Sequence, residues 1–314
     1  MKPLIIGSRG SRLALQQSNF LRQVLQKHHP ELEVTIDLIR TTGDQLSRTS
    51  LSQVATNVKG LFVKEIEEAL LQNKIDLAVH SLKDLPTDLP DGLDLASIPE
   101  REDARDALIT TSTRIQSLDE LSDGAKLGTG SLRRQVQLQY LRPDVLISPI
   151  RGNVDTRIRK IQERGLDGIV LAAAGLRRLG LEEKISYAFP LEDMVPAIGQ
   201  GALAVEIRSD DDATRRLLGP LDHADTRVCV LAERKFLHTM GGGCQVPMGA
   251  HARIVDGNAI FSAFVGSPST RETISKVSQG LPQELEILAL DTAEFLLSHG
   301  ADQILKEVEA QFSS

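Results

Sequence analysis

The chain has 314 residues, with 36 Lys and Arg against 43 Asp and Glu, a formal net charge of −7 and 41% apolar residues. At roughly 150 residues per domain this length suggests two domains or three, and the composition is that of a folded protein with sizeable cores, which excludes a disordered chain or a coiled coil. An acidic total, 3% aromatics and no Trp argue against nucleic acid and an anionic membrane as partners. The longest apolar run, Ile169 to Leu176, is far short of the ~20 residues of a membrane span. The opening Met1 to Ile6 is broken at once by Gly7-Ser8-Arg9, too short for a secretory signal, and Cys229 and Cys244 are too few for a disulfide framework. A cytoplasmic protein is expected, or one in an organelle stroma after loss of a transit peptide.

In chain order, a strand is predicted at Leu4 to Ile6, then a Gly/Ser turn and an amphipathic helix from about Ser11. Leu13, Phe20, Leu21, Val24 and Leu25 share its apolar face, and Ser11 is its N-cap. A strand follows at Val34 to Ile39, a polar loop from Thr41 to Val58, a helix from about Gly60 to Gln72 and a buried strand from Ile75 to Val79. The same order returns from Ala125, with a strand to Gly128, a helix through Tyr140, a strand Val145 to Ser148, a helix from about Asp155 to Arg164 and a strand Ile169 to Ala173. Such alternation predicts parallel sheets with right-handed crossovers, hence two similar α/β domains with their loops facing each other. After Pro196 come Gly199-Gln200-Gly201, a strand Ala202 to Ile207 and Asp210-Asp211-Asp212, which suits the first turn of a helix. The remainder holds a helix from about Thr226 to His238, the turn Gly241-Gly242-Gly243-Cys244, strands around Ala250 to Ile254 and Ile260 to Val265, and a helical region from Glu284. The domains expected are 1–100 with 197–219, 101–196, and 220–314, the last of α+β type.

Open α/β sheets bind ligands beyond the carboxyl ends of their strands. The loops after Ile6, Ile39, Val79, Gly128, Ile147 and Ala173 collect Arg9, Lys83, Arg133, Arg134, Arg151, Arg157 and Arg178. Arg133 and Arg134 follow Ser131 into a first helical turn, where the macrodipole favours acids, so an anion must compensate them. Backbone amides and two guanidiniums together would hold a carboxylate or a phosphate. One such Arg is usually solvated or paired at the surface, but so many at strand ends of an acidic chain favour a polyanionic ligand. Gly128 to Arg133 lacks the third Gly of a dinucleotide fingerprint, and no turn ends in the Gly-Lys-Ser/Thr of a P-loop. Asp84, between Lys83 and Pro86, is either a turn residue or a carboxylate set to stabilise positive charge and move protons. Cys229 lies on the apolar side of a helix and reads as packing, whereas Cys244 after three glycines suits a nucleophile or a covalent attachment point. With no CxxC or HxxxH pair, a metal site is not expected.

Several segments carry a closer likeness: Arg9-Gly10-Ser11 with Leu13-Ala14-Leu15 and Gln17, Lys59-Gly60-Leu61-Phe62, Val79 to Asp84, Arg101-Glu102-Asp103, Gly128-Thr129 through Arg134, Arg151-Gly152-Asn153, Gly199 to Ala202, and Gly242 to Pro247. In this order, and over essentially the whole chain, they resemble the porphobilinogen deaminase (hydroxymethylbilane synthase) family. The resemblance implies that Cys244 carries a dipyrromethane cofactor through a thioether, assembled from the enzyme's own substrate. It implies that Asp84 lies under the pyrrole N–H groups and stabilises the azafulvenium cation formed as porphobilinogen loses ammonia. Four porphobilinogens are then joined head to tail, and hydrolysis releases the linear tetrapyrrole hydroxymethylbilane. By position, Arg9, Ser11, Lys83, Thr129, Ser131, Arg133, Arg134, Arg151, Arg157 and Arg178 match the family's carboxylate-binding residues, and Lys59, Ser81 and Gln200 join them as substrate- or cofactor-binding residues. The implied architecture is α/β, two periplasmic-binding-protein-like α/β domains plus a smaller C-terminal α+β domain, acting as a monomer. The chain departs from the family at Ala104, where Pro is usual, at Gly130, where Ser is common, and in the loop Gln53 to Val58. A reading from another class, a non-catalytic two-lobed anion-binding protein, gives Cys244 no task.

Overall fold

A computed structural model describes residues 3–42, 60–111, 114–241 and 246–313. Lys59, Cys244 and most of the polar loop expected before Val58 lie outside the described residues. The chain forms two compact units, Met1–Glu102 with Ala202–Arg227, and Asp103–Gly201 with Val228–Ser314.

The first unit opens with β1 (Leu4–Arg9), α1 (Arg12–His28), β2 (Val34–Ile39), α2 (Gly60–Leu71), β3 (Leu77–Ser81) and β4 (Leu93–Ser97). Ser11 caps α1 as expected, its Oγ accepting from the Ala14 amide at 3.3 Å. The buried stripe of α1 differs from the apolar one: Leu21 and Leu25 are buried together with Gln17 and Ser18, while Phe20 is 47% exposed. The helix is turned so that Gln17 reaches the end of β3. Along β3, Leu77 and Val79 join Leu21 and Leu25 on one face, and Ala78 joins Ile66, Ala69 and Leu70 on the other. Cover on both faces explains why this strand is apolar without alternation.

The second unit follows with β5 (Asp106–Thr110), β6 (Lys126–Gly128), α3 (Leu132–Leu141), β7 (Leu146–Ser148), α4 (Val154–Glu163), β8 (Gly168–Ala172), α5 (Ala173–Arg178) and β9 (Tyr187–Ala188). The chain then returns to the first unit as β10 (Leu203–Arg208) and α6 (Asp212–Leu218), the latter capped by Asp211. Strand order is β2-β1-β3-β10-β4 in one sheet and β7-β6-β8-β5-β9 in the other. The repeat seen in the sequence is therefore a repeat of the fold, two five-stranded sheets with equivalent strand order. The expectation of parallel sheets is corrected at one strand in each: β10 is antiparallel to β3 and β4, and β5 to β8 and β9. Each of these strands enters after an excursion through the other unit, and only a local helical crossover forces parallel pairing.

The chain closes with α7 (Ala224–Thr239), the antiparallel sheet β11 (Met248–Val255), β12 (Asn258–Gly266) and β13 (Thr273–Gly280), then α8 (Leu285–Leu296) and α9 (Asp302–Ser313). This is the expected α+β arrangement, and residues 228–314 belong to the same compact unit as 103–201. Phe236 and Phe261 meet with ring centroids 5.7 Å apart, and Ala289, Ala293 and Leu296 pack over them. Cys229 sits in this core at 5% exposure, a packing residue. Among the described residues, no helix is long and apolar enough to cross a membrane.

Candidate active site

In the first unit, β3 ends at Ser81 and runs into a single turn, Leu82–Asp84. Leu82 is buried and donates its N–H to the Ala202 carbonyl at 3.0 Å, and the Leu85 N–H closes the turn on the Leu82 carbonyl at 3.1 Å. Gln17 Nε2 donates to Ser81 Oγ at 2.8 Å. The Asp84 carboxylate is thus exposed on a backbone that is fixed from both sides. Arg9 ends β1 and Ser11 follows it, and β1 pairs in parallel with β3. Arg9, Ser11, Ser81, Lys83 and Asp84 therefore share the carboxyl end of two adjacent strands.

In the second unit, Thr129 and Ser131 stand beyond β6, Arg151 and Arg157 beyond β7, and Arg178 at the end of α5 beyond β8. Thr129 Oγ1 accepts from the Ser131 amide at 3.2 Å, and Ser131 Oγ caps α3 by accepting from the Arg134 amide at 3.5 Å. Arg157 Nε donates to the Gly152 carbonyl at 2.6 Å and Arg178 to the Gly201 carbonyl at 2.7 Å. These bonds fix the long side chains near the strand ends.

Arg133 and Arg134 depart from expectation. Both are buried, and the anion that their position demands comes first from the chain itself: Asp106, wholly buried at the start of β5. Arg133 lies 2.7 Å from one Asp106 oxygen, Arg134 lies 2.7 Å from the other, and Arg134 Nε donates to that second oxygen at 2.9 Å. Further donors go to the carbonyls of Val195 at 2.6 Å and Val170 at 3.1 Å. Burial alone would raise the pKa of Asp106, but the two guanidiniums overcome it and hold the carboxyl well below the usual carboxylate range. Gln200, also wholly buried, donates to Asp106 at 3.0 Å and to the Ala104 carbonyl at 2.7 Å. Gly199 and Gly201, at φ +72° and +87°, make the turn that presents it, and Glu233 holds that turn by accepting from the Gly199 amide at 2.7 Å.

Two guanidiniums against one carboxylate leave a positive charge in excess. The first turn of α3 has no acid, and among the described residues the buried Arg133 Nε has no acceptor. This surplus fits an additional anionic group at the helix N-terminus. Asp106, Glu233 and the holding role of Gln17 were not legible as site features; only Gln17 lay in a segment singled out by its likeness.

Gly130 has a local explanation, since a Cβ there would meet the Ile150 carbonyl oxygen at 2.6 Å. Gly130→Ser should therefore destabilise the protein by about 1–3 kcal/mol despite the Ser common in the family, as overpacking against backbone does. Denaturant unfolding of the two proteins measures this.

Cations and hydroxyls stand at the carboxyl ends of parallel strands in each unit, which defines a class, α/β proteins with cation- and hydroxyl-bearing strand-end loops. Within it, the chain belongs to the porphobilinogen deaminase family. Residues 4–216 match the model described as porphobilinogen deaminase, dipyromethane cofactor binding domain, and residues 227–298 match that of the porphobilinogen deaminase C-terminal domain. The porphobilinogen deaminase of Syntrophotalea carbinolica is 48% identical over 306 residues, covering 98% of this chain and 96% of that one. That of Sulfurimonas denitrificans is 44% identical over 317 residues, covering 100% of both. Among solved structures, the periplasmic aliphatic sulphonate binding protein of Escherichia coli is 14% identical, covers 95% of this chain and 88% of its own, and has a TM-score of 0.39. That likeness carries no argument about the ligand.

Proposed function

We infer that this protein is a hydroxymethylbilane synthase, a transferase of tetrapyrrole biosynthesis that deaminates porphobilinogen and joins four molecules head to tail. The observation that carries this reading is the family match along the whole chain, with the Ser81 to Asp84 turn intact and rigidly held. A dipyrromethane cofactor fits the residues present: it carries carboxylates, and the α3 N-terminus has a cation in excess and an orphaned donor. When bound, it supplies the acceptor pyrrole on which the chain is extended.

In this reading the Asp84 carboxylate lies beside the pyrrole nitrogen as the aminomethyl C–N bond of porphobilinogen breaks and ammonia leaves. Its charge opposes the positive charge of the azafulvenium, and its oxygen accepts the proton that the acceptor carbon loses as the new carbon–carbon bond forms and passes it to the released ammonia. Arg9, Ser11, Lys59, Lys83, Thr129, Ser131, Arg151, Arg157 and Arg178 hold acetate and propionate groups by charge-assisted hydrogen bonds. Arg133, Arg134 and Gln200 share this work from behind, with Asp106 as their common partner. Cys244 is the attachment point, in a C-terminal α+β domain at 220–314. The protein is read as a cytoplasmic monomer.

A denatured intact mass tests the reading. The synthase should be heavier than its sequence by a covalent dipyrrole, whereas a non-catalytic anion-binding protein should weigh what its sequence gives. Cys244→Ser should lose the added mass, because a hydroxyl is a far poorer nucleophile than a thiolate, and Cys229→Ser should keep it. The reverse result would place the attachment at Cys229.

A further inference from the structure

The first unit holds a second group of titratable side chains, behind the strand that carries the catalytic turn. His80 on β3 lies on the α2 side with Ala78, and Glu206 on β10 is registered opposite Ala78. The His80 ring nitrogen Nε2 is hydrogen-bonded to Glu206 Oε2 at 2.9 Å, with His80 6% exposed and Glu206 wholly buried. Glu67, from α2, is buried on the helix that packs on this face of β3 and interacts electrostatically with both. Glu206 Oε1 and Glu67 Oε1 are both buried, and among the described residues neither has a donor.

Two adjacent buried carboxylates with two orphaned oxygens are costly to keep ionised. One proton resolves the conflict, because a carboxyl O–H is a donor where a carboxylate only accepts. We propose that Glu67 carries a proton in the folded protein and donates it to Glu206, so that Glu67, Glu206 and His80 form a hydrogen-bonded chain positioning the end of β3 for Asp84. The neighbouring charges have other partners. Arg208 on β10 donates to the carbonyls of Leu70 and Ile75 and pairs with Asp211, Asp94 on β4 pairs with Arg215, Glu65 accepts from Thr42, and β1 carries only Arg9 at its end. Burial first, and then the charge of Glu206, raise the pKa of Glu67, with His80 in partial opposition. The stabilisation this proton gives is fully present below the ordinary carboxylate range and is lost as pH rises through the raised value of the folded state.

The positioning role rests on Asp84 as the catalytic carboxylate, whereas the proton does not. Isotope-edited infrared spectra of holoenzyme with labelled glutamate should show a protonated-carboxyl stretch at neutral pH. That band should vanish in Glu67→Gln, and should fade from the wild type as the pH is raised. Glu67→Gln, whose amide can still donate to Glu206, should keep the wild-type kcat at neutral pH and lose the alkaline decline of kcat. Glu67→Leu, which leaves Glu206 Oε1 without a donor, should lower kcat about ten-fold with little change in KM, a barrier change of roughly 1.4 kcal/mol. A wild-type spectrum without a protonated glutamate at neutral pH overturns the proposal whether or not the variants fold, as does a Gln variant impaired as severely as the Leu variant. If the band is present and the wild type releases no ammonia from porphobilinogen, the proton stands, while the positioning role falls with the functional reading.

Discussion

Asp84→Asn should slow single-turnover release of ammonia from porphobilinogen by roughly a hundred-fold or more, since a preorganised group facing developing charge contributes about 2.7–4 kcal/mol. The side chain is exposed and the turn is held by bonds that the substitution does not touch, from Leu82 to Ala202 and from Gln17 to Ser81. The variant should therefore fold normally and bind substrate almost as well, because in the proposed mechanism other residues hold the acetate and propionate groups. Asp84→Glu should lose less, its charge being displaced by one methylene but kept. The measurement uses holoenzyme that already carries its cofactor, so that defective assembly cannot imitate defective chemistry. Near-normal release by the Asn variant would leave Asp84 as a turn residue and remove it from the mechanism.

The other large effect is expected in stability. Asp106→Asn keeps the shape of the side chain but leaves Arg133 and Arg134 buried without a counter-ion, and breaking a buried pair in this way costs about 3–5 kcal/mol. Equilibrium unfolding in urea should show the loss at neutral pH. Because the folded-state pKa of Asp106 is depressed, its contribution is present above the unfolded carboxylate value of about 3.9 and is lost as pH falls toward the lower folded value. The wild type should accordingly lose stability on acidification more steeply than the variant, and the two curves should converge in acid. Parallel curves would mean that the carboxylate charge does not hold the two guanidiniums.

The local features of this site were legible because local chemistry produces them. Ser11 read as a cap from its position ahead of a helix, and it accepts the expected amide. The cations at the start of α3 read as demanding an anion, and they have one. What sequence did not yield was its identity, because Asp106 lies 28 positions before Arg134 on a five-residue strand whose short apolar stretch resembles many loops. Nothing in the periodicity of α3 points to β5. Phe20 shows the opposite failure, an apolar residue on the expected face that stays exposed because Gln17 is needed at Ser81. Burial in α1 follows a polar contact between elements 64 positions apart, which no hydrophobic pattern encodes. The antiparallel strands β5 and β10 were missed as such for the same reason, since their direction is set by where the chain has been and not by the residues within them.

The place of β10 bears on how the protein is made. Val205 pairs with Val79 and Ser97, so the first sheet is closed by a strand that leaves the ribosome only after all five strands of the second sheet. Until then β3 lacks the neighbour that receives the Leu82 amide, and β4 lacks its only partner among the described strands. Domains usually complete themselves from the N-terminus during synthesis, but here the sheet begun first is finished last, at the entropic cost of closing a loop of more than 100 residues. The nascent chain therefore passes through a stage in which the Leu82–Asp84 turn has been synthesised but still lacks the Ala202 carbonyl that later receives its first amide.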